Sequence, residues 1–188
     1  MTQFTTHTIN TAPDAAKPLL TQAQAVYSFV PNLLGTMAEA PTLLEGYMTL
    51  AGIFDKTELT ETERQIILMT NNRLNGCSYC MAAHTTISQM AGVPADVIEA
   101  LRTNTPIADP RLEALRQFAA VVNKSRGWPS AEDIDVFIAA GYTRQTILEV
   151  LVGTSLKVMS NYTNHMAETT LDDAFAANAW KGGEAQAA

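Results

Sequence analysis

The sequence has only two cysteines, few basic residues and no long apolar run among its 188 positions. No stretch approaches the ~20 apolar residues that span a bilayer, and the amino terminus has neither the basic nor the apolar part of a signal peptide. Lys and Arg total 12 against 19 Asp and Glu, which gives a net charge of −7. Because phosphate backbones repel such a surface, nucleic-acid binding is disfavoured. We therefore expect a cytoplasmic globular protein that contacts neither membrane nor nucleic acid.

The two cysteines, Cys77 and Cys80, stand three positions apart. In a reducing compartment such a pair is seldom a structural disulfide, because thiols there are kept reduced. It is more often catalytic or metal-binding. The pair is therefore the first candidate for a functional site.

Strand-like alternation of apolar and polar residues is nearly absent, whereas apolar residues recur at helical spacing along most of the chain. Thr60 and Glu63 have the spacing of a capping box at a helix start. The pattern predicts an all-α protein of about nine helices, and 47% hydrophobic residues suffice for its core. The predicted helices cover about residues 14–29, 31–39, 41–54, 61–74, 77–91, 94–102, 110–122, 130–140 and 143–167.

The domain organisation is predicted to be simple, with an N-terminal arm over residues 1–12 and one helical domain over 13–188. A shift of 81 residues superposes His84 on His165 and is compatible with a degenerate repeat. Chance helical periodicity explains the same coincidence equally well. The repeat would divide the domain into two lobes, at about 25–105 and 106–180.

Cys77, Cys80 and His84 share one face of a predicted helix, because positions i, i+3 and i+7 align on an α-helix. Asn75-Gly76 breaks the preceding helix, so Cys77 stands at a helix amino terminus. Unpaired N–H groups and the helix dipole stabilise a thiolate there. His84 lies one turn beyond Cys80 and can take its proton. The spacing predicts an activated dithiol beside a histidine.

Three interpretations fit this helix face. In the first, a thiolate attacks a peroxide O–O bond and becomes a sulfenic acid, a second thiol condenses with it to a disulfide, and an external dithiol reduces that bond. In the second, the cysteines are inert and pack as small apolar side chains. In the third, both thiolates and His84 bind zinc with a distant fourth ligand such as His165. Spacing and compartment favour the redox dithiol, with no metal or other cofactor.

The sequence resembles the carboxymuconolactone decarboxylase superfamily, in particular its alkyl hydroperoxidase D-like (AhpD-like), peroxidase-related branch. Residues 74–84 (LNGCSYCMAAH) carry most of the resemblance, supported by 30–34 (VPNLL) and 161–165 (NYTNH). The resemblance covers about residues 25–180. It implies a compact AhpD-like helical fold and a homo-oligomer, often a trimer or hexamer.

The same resemblance implies a thiol peroxidase that reduces small hydroperoxides and is regenerated by an external dithiol protein. It makes Cys80 the peroxidatic cysteine, Cys77 its disulfide partner and His84 the proton relay. The hydroperoxidases of the family also use a glutamate twelve residues before the first cysteine, and this sequence has Gln65 there. An amide cannot accept a proton at neutral pH, so the relay needs another acid or works without one.

Two more residues are candidates for the relay. Glu149 lies within an apolar stretch of the last helix, where a carboxylate is often paired or functional, although a solvent-facing position fits equally well. His165 continues the stripe of Leu151 and Tyr162, which favours a hydrogen-bonded core histidine over a catalyst. Glu63 is closer to Gln65 in sequence, but its capping position favours a structural role.

Other functions are compatible with the same residues. A disulfide-relay protein would use the dithiol on another protein, and a non-catalytic oligomeric scaffold would not use it at all. Gln65 at the glutamate position favours these two alternatives. The decarboxylase chemistry for which the superfamily is named does not require two cysteines at this spacing. The sequence as a whole favours a cysteine-based peroxidase.

Overall fold

The computed structural model describes residues 4–182, which form α-helices joined by short connections and contain no strand. This architecture confirms the predicted fold class. None of the described helices is long and apolar enough to cross a membrane. The helices are α1 (Lys17–Tyr27), α2 (Asn32–Met37), α3 (Pro41–Phe54), α4 (Glu61–Leu74), α5 (Ser78–Met90), α6 (Ala95–Thr103), α7 (Pro110–Ser125), α8 (Ala131–Ala139), α9 (Arg144–Ala167) and a 3₁₀ helix, Asp173–Asn178.

The helix ends follow local signals in the sequence. Thr60 and Glu63 form the predicted capping box of α4. Helix α1 begins at Lys17 rather than near residue 14, because Pro18 is tolerated only in the first turn. It ends at Tyr27 because Ser28 adopts a left-handed conformation with φ 67°. The 3₁₀ helix after α9 was not predicted.

Helix α4 lies at the centre of the molecule and packs against α5, α6, α7 and α9. Its Ile66 belongs to an apolar cluster that includes Leu115 of α7 and Val150 of α9. A Cβ on Gly153 of α9 would lie 2.8 Å from the Ile67 side chain, so glycine permits this close approach. Because one cluster contains residues from both predicted lobes, the lobes share a core.

A second apolar cluster joins α1, α2 and α3 to one face of α5, and both cysteines belong to it. The opposite face of α5 contributes Met81 to the first cluster. The N-terminal arm lies against α2, where the His7 N–H donates to the Gly35 carbonyl at 3.0 Å. Residues 1–3 of the predicted arm lie outside the described residues. Helix α5 is thus held between two cores.

Candidate active site

The break between α4 and α5 sets the position of both cysteines. Gly76 adopts a left-handed conformation with φ 68°, which costs glycine little. The Cys77 N–H then donates to the Asn72 carbonyl at 2.9 Å, and Cys77 becomes the N-cap of α5. Cys80 follows one turn later in the helix. Both are free thiols and almost fully buried, with 1% and 2% of their surface exposed.

The side chain of Asn164 contacts both sulfur atoms from α9. Its Nδ2 lies 3.2 Å from Cys80 Sγ and 3.7 Å from Cys77 Sγ, so the amide N–H groups are placed to donate to a thiolate. Asn72 fixes the backbone on the other side, since its Nδ2 donates to the Cys80 carbonyl at 3.2 Å. Asn161 donates in turn to Asn72 Oδ1 at 3.0 Å. Buried amides from α4 and α9 therefore hold the dithiol.

Lys157 is a site residue that the sequence analysis missed. Its side chain extends from α9 into the interior and has no exposed surface. The Nζ atom lies 2.8 Å from His84 Nε2. Charged lysines are seldom fully buried without a functional or structural partner. The structure thus adds a buried cation to the predicted dithiol and histidine.

His84 connects Lys157 to two side chains of α4. Its Nδ1 lies 2.8 Å from Gln65 Oε1, and Gln65 Nε2 donates to Glu61 Oε1 at 2.9 Å. Gln65 therefore occupies the place next to His84 in which the family resemblance expects a glutamate. A carboxylate is present one helical turn earlier, at Glu61, and it also binds Arg64. The sequence analysis did not consider Glu61.

Burial and charge together set the protonation states of the site. Burial acts to raise the pKa of Cys80, but the Cys77 thiol and the Lys157 charge outweigh it and lower that pKa. The hydrogen bond with the Cys80 sulfur, followed by burial, raises the pKa of the Cys77 thiol. Burial and then the Lys157 charge lower the pKa of His84 well below its ordinary value. At neutral pH the site thus combines a Cys80 thiolate, a Cys77 thiol and a neutral imidazole.

A small cavity adjoins this arrangement, with a volume of about 50 Å³. One water molecule needs about 10–15 Å³ on this measure, so the cavity accepts a ligand of only a few heavy atoms. Its remaining wall is apolar and aromatic. The lining residues are Tyr27, Pro31, Leu33, Leu34, Tyr47, Tyr79, Cys80, Ala83, His84, Ile87, Lys157 and Phe175.

Two of the predicted relay residues lie elsewhere. Glu149 accepts hydrogen bonds from the Glu58 N–H at 3.3 Å and from Gln145 Nε2 at 3.0 Å, outside the cavity. His165 is exposed and stacks on Tyr162, with 6.4 Å between the ring centroids, so the core position favoured for it was wrong. Within residues 4–182 no group of three His, Cys, Asp or Glu side chains could hold a metal ion.

The error on α9 has one physical cause. The apolar stripe of Leu151, Val158 and Tyr162 faces outward, and these side chains are 41%, 39% and 51% exposed. The polar positions Lys157 and Asn164 face inward. Apolar periodicity normally marks the buried face of a helix, and here it marks the exposed one. The only sequence signal for the inward face was its spacing of polar residues at i, i+3, i+4 and i+7 (Lys157, Ser160, Asn161 and Asn164).

Comparison with known proteins finds one matching family model. The model of the carboxymuconolactone decarboxylase family matches residues 38–121, a segment that includes both cysteines and His84. This match confirms the resemblance drawn from the sequence. No curated protein sequence matched the chain.

Solved structures with the same fold cover nearly the whole chain. An uncharacterized peroxidase-related protein from Ralstonia eutropha JMP134, described as an alkylhydroperoxidase AhpD core, is 22% identical with a TM-score of 0.82 over 92% of this chain and 93% of that chain. A peroxidase-related protein from Silicibacter sp. TM1040 is 20% identical with a TM-score of 0.77 over 92% and 93%. The debrominase Bmp8, as a cysteine-to-alanine variant with 2,3,4-tribromopyrrole, is 19% identical with a TM-score of 0.79 over 95% and 96%. These similarities confirm the predicted AhpD-like fold.

Proposed function

We propose that this chain, whose residues 38–121 match the model of the carboxymuconolactone decarboxylase family, is a thiol peroxidase that reduces hydrogen peroxide or small alkyl hydroperoxides. The observation that carries the proposal is the position of Cys80, which lines a small cavity together with the buried Lys157. A thiolate rather than a thiol attacks peroxides. Lys157 and Asn164 supply the charge and the amide donor that favour the thiolate.

The proposed reaction begins when the Cys80 thiolate attacks the nearer peroxide oxygen. The O–O bond breaks, a sulfenic acid forms on Cys80, and the distal oxygen leaves as hydroxide or alkoxide, which takes up a proton. The Cys77 thiol then attacks the Cys80 sulfur, and a disulfide forms as the second oxygen leaves as water. An external dithiol reduces that disulfide and becomes a disulfide itself. The sum is one hydroperoxide and one dithiol converted to an alcohol, water and one disulfide.

The cavity volume favours a small substrate. Space of about 50 Å³ admits hydrogen peroxide or the peroxide end of a short alkyl hydroperoxide. It is smaller than the space that a ring with three bromine atoms, the ligand of the debrominase Bmp8, requires. The apolar wall further favours an uncharged substrate over a charged one. These features support a peroxide over a halogenated heterocycle.

The burial of both sulfur atoms disfavours the disulfide-relay alternative. Cys77 and Cys80 are 1% and 2% exposed, so the reduced thiols are more accessible to a small oxidant than to a protein disulfide. A small peroxide needs only the cavity. The non-catalytic scaffold is disfavoured by the fully buried Lys157, because an unneeded buried cation costs free energy that an apolar side chain would not.

Peroxide consumption in the presence of dithiothreitol tests the proposal. We expect the wild-type protein to consume hydrogen peroxide and tert-butyl hydroperoxide catalytically, and Cys80→Ser to consume neither. Cys77→Ser is the matched control, because it keeps the attacking sulfur; after prior reduction and removal of dithiothreitol it should still reduce one equivalent of peroxide. If the wild-type rate equals that of dithiothreitol alone, the protein is not a thiol peroxidase.

A further inference from the structure

We infer that Lys157 is the proton donor to the leaving oxygen of the peroxide, and that His84, Gln65 and Glu61 hold its ammonium group in place. The inference rests on the proposed peroxidase function and assigns a step that the cysteines cannot perform. When the O–O bond breaks, the distal oxygen departs as a strong base. Cys80 is a thiolate and has no proton to give at that moment, and the raised pKa of Cys77 makes its thiol a poor acid.

The location of Lys157 fits this role. The cavity that exposes the Cys80 sulfur is also lined by Lys157 and His84, so a ligand that fills it contacts all three side chains. Lys157 takes part in none of the carboxylate ion pairs found within residues 4–182. Its charge is therefore balanced by the Cys80 thiolate rather than by an acidic side chain.

The charge of Lys157 decides which group donates in each hydrogen bond of the series Lys157, His84, Gln65 and Glu61. An ammonium group has no lone pair, so Lys157 must donate to His84 Nε2. The neutral imidazole then carries its proton on Nδ1 and donates to Gln65 Oε1. The amide nitrogen of Gln65 donates in turn to the Glu61 carboxylate. A glutamine suits this position because it accepts at one end and donates at the other.

The acidity of Lys157 changes in the direction that the reaction needs. Burial lowers the pKa of Lys157, while the negative charge of the Cys80 thiolate raises it. The thiolate thus keeps the ammonium group protonated before the attack. Once Cys80 has become an uncharged sulfenic acid, the effect of burial is no longer opposed. Lys157 becomes more acidic when the leaving oxygen requires a proton.

The proton balance closes over the two steps. In the first step the Lys157 ammonium gives one proton to the hydroxide or alkoxide, which leaves as water or alcohol. The neutral amine then takes the proton of the Cys77 thiol, and the new Cys77 thiolate attacks the sulfenic acid. The hydroxide released from sulfur takes a proton from solvent. Lys157 is then an ammonium group again.

Three tyrosines line the cavity, Tyr27, Tyr47 and Tyr79. Burial raises the pKa of Tyr27 and of Tyr79, and Tyr79 already donates to Asp172. Tyr47 is the one placed beside both cysteines. Burial, followed by the charge of Cys80, raises its pKa far above the ordinary value for tyrosine. Its hydroxyl is therefore a poor acid in this site, and Tyr47→Phe serves as the control for loss of a polar group from the cavity wall. Cys77 and His84 are the remaining titratable groups beside Lys157.

Two reagents separate proton donation from thiolate stabilisation. Methyl methanethiolsulfonate releases a sulfinate that needs no proton, whereas tert-butyl hydroperoxide releases an alkoxide that does. The second-order rate of Cys80 with each reagent is measured for wild type, Lys157→Met and Tyr47→Phe, at a pH where Cys80 is fully ionised in all three. A general acid contributes about 10²–10⁴-fold. We expect Lys157→Met to lose that factor with the hydroperoxide, and to change within about tenfold with the thiolsulfonate, the scale of one pKa unit.

The outcomes are distinguishable. Equal losses with both reagents in Lys157→Met would show that Lys157 only stabilises the thiolate, and a selective loss in Tyr47→Phe would assign the proton to Tyr47. A wild-type protein that reacts with the thiolsulfonate but not with the hydroperoxide would overturn the peroxidase proposal and the inference together. Independently of any variant, ¹⁵N NMR of the wild type should find His84 neutral with its proton on Nδ1. A proton on Nε2 would contradict the Lys157 geometry.

Discussion

Gln65 Nε2 lies 2.9 Å from Glu61 Oε1, so the glutamine beside His84 is itself bound to a carboxylate. This contact changes the expected effect of restoring a glutamate at position 65. Two carboxylates at hydrogen-bond distance repel each other unless one is protonated. Gln65→Glu restores the glutamate that the family resemblance expects, but it also places two carboxylates side by side.

We expect Gln65→Glu alone to leave the rate of Cys80 oxidation unchanged or lower it, because the new carboxylate faces Glu61. The double variant Glu61→Gln with Gln65→Glu removes the repulsion and should recover at least the wild-type rate, through a direct carboxylate–imidazole pair. Stopped-flow oxidation by hydrogen peroxide measures both. A clear gain in the single variant would contradict the role assigned to Glu61.

The charge of Lys157 is expected to set the reactivity of Cys80 at low pH. An opposite charge nearby lowers a pKa by about 1–3 units, so Lys157→Met should raise the pKa of Cys80. The reaction with methyl methanethiolsulfonate follows the thiolate fraction, and its rate in wild type should rise to a plateau at a lower pH than in the variant. The ultraviolet absorbance of the thiolate reports the same titration directly. Superimposable titrations would exclude Lys157 as the stabilising charge.

The hydroxyl of Tyr79 is expected to stabilise the fold around the site. It donates to Asp172 and accepts from the Leu33 N–H, and the side chain is buried. Tyr79→Phe leaves the Leu33 N–H unpaired and removes one donor from Asp172, which still accepts from the Asn32 N–H. We expect a cost of about 1–3 kcal/mol in the free energy of unfolding. Tyr27→Phe, at a side chain that is 44% exposed, is the control and should change it by less than about 0.5 kcal/mol. Urea denaturation measures both, and equal stability of the two variants would contradict this account.

The outward face of α9 is expected to lie in the interface of a homo-oligomer. Leu148, Leu151, Val158 and Tyr162 follow one another at helical spacing, and all are at least 39% exposed. Exposed apolar patches of this kind mark interaction surfaces. We expect Leu151→Glu to dissociate the oligomer in light scattering, whereas Ile138→Glu, at an exposed apolar position of α8, should not. A wild-type monomer at micromolar concentration would refute this prediction.

The dithiol and His84 could be predicted because their relationship is local. Three residues within two turns of one helix, after an Asn-Gly break, have a geometry that follows from helix periodicity alone. Lys157 could not be found in this way, because 73 residues separate it from its partner His84. Its helix also presents its apolar stripe to the surface, so periodicity indicated the wrong face.

The carboxylate that binds Gln65 was missed for a related reason. Glu61 and Gln65 stand one turn apart, and their contact could have been derived from the sequence. Glu149 attracted attention instead, because apolar neighbours surround it in the sequence. In the structure that apolar run lies partly on the exposed face of α9, and Glu149 binds the Glu58 backbone. The apolar neighbours of Glu149 in the sequence were therefore no indication that it lies in the active site.

Mass spectrometry of the reduced protein after one equivalent of hydrogen peroxide tests the central claim most directly. The account predicts the loss of two hydrogens, located to a Cys77–Cys80 disulfide, within the time in which the peroxide disappears. In Cys77→Ser the product should instead carry one added oxygen on Cys80. Unmodified cysteines with the peroxide still present would contradict the claim that Cys80 is a peroxidatic thiolate.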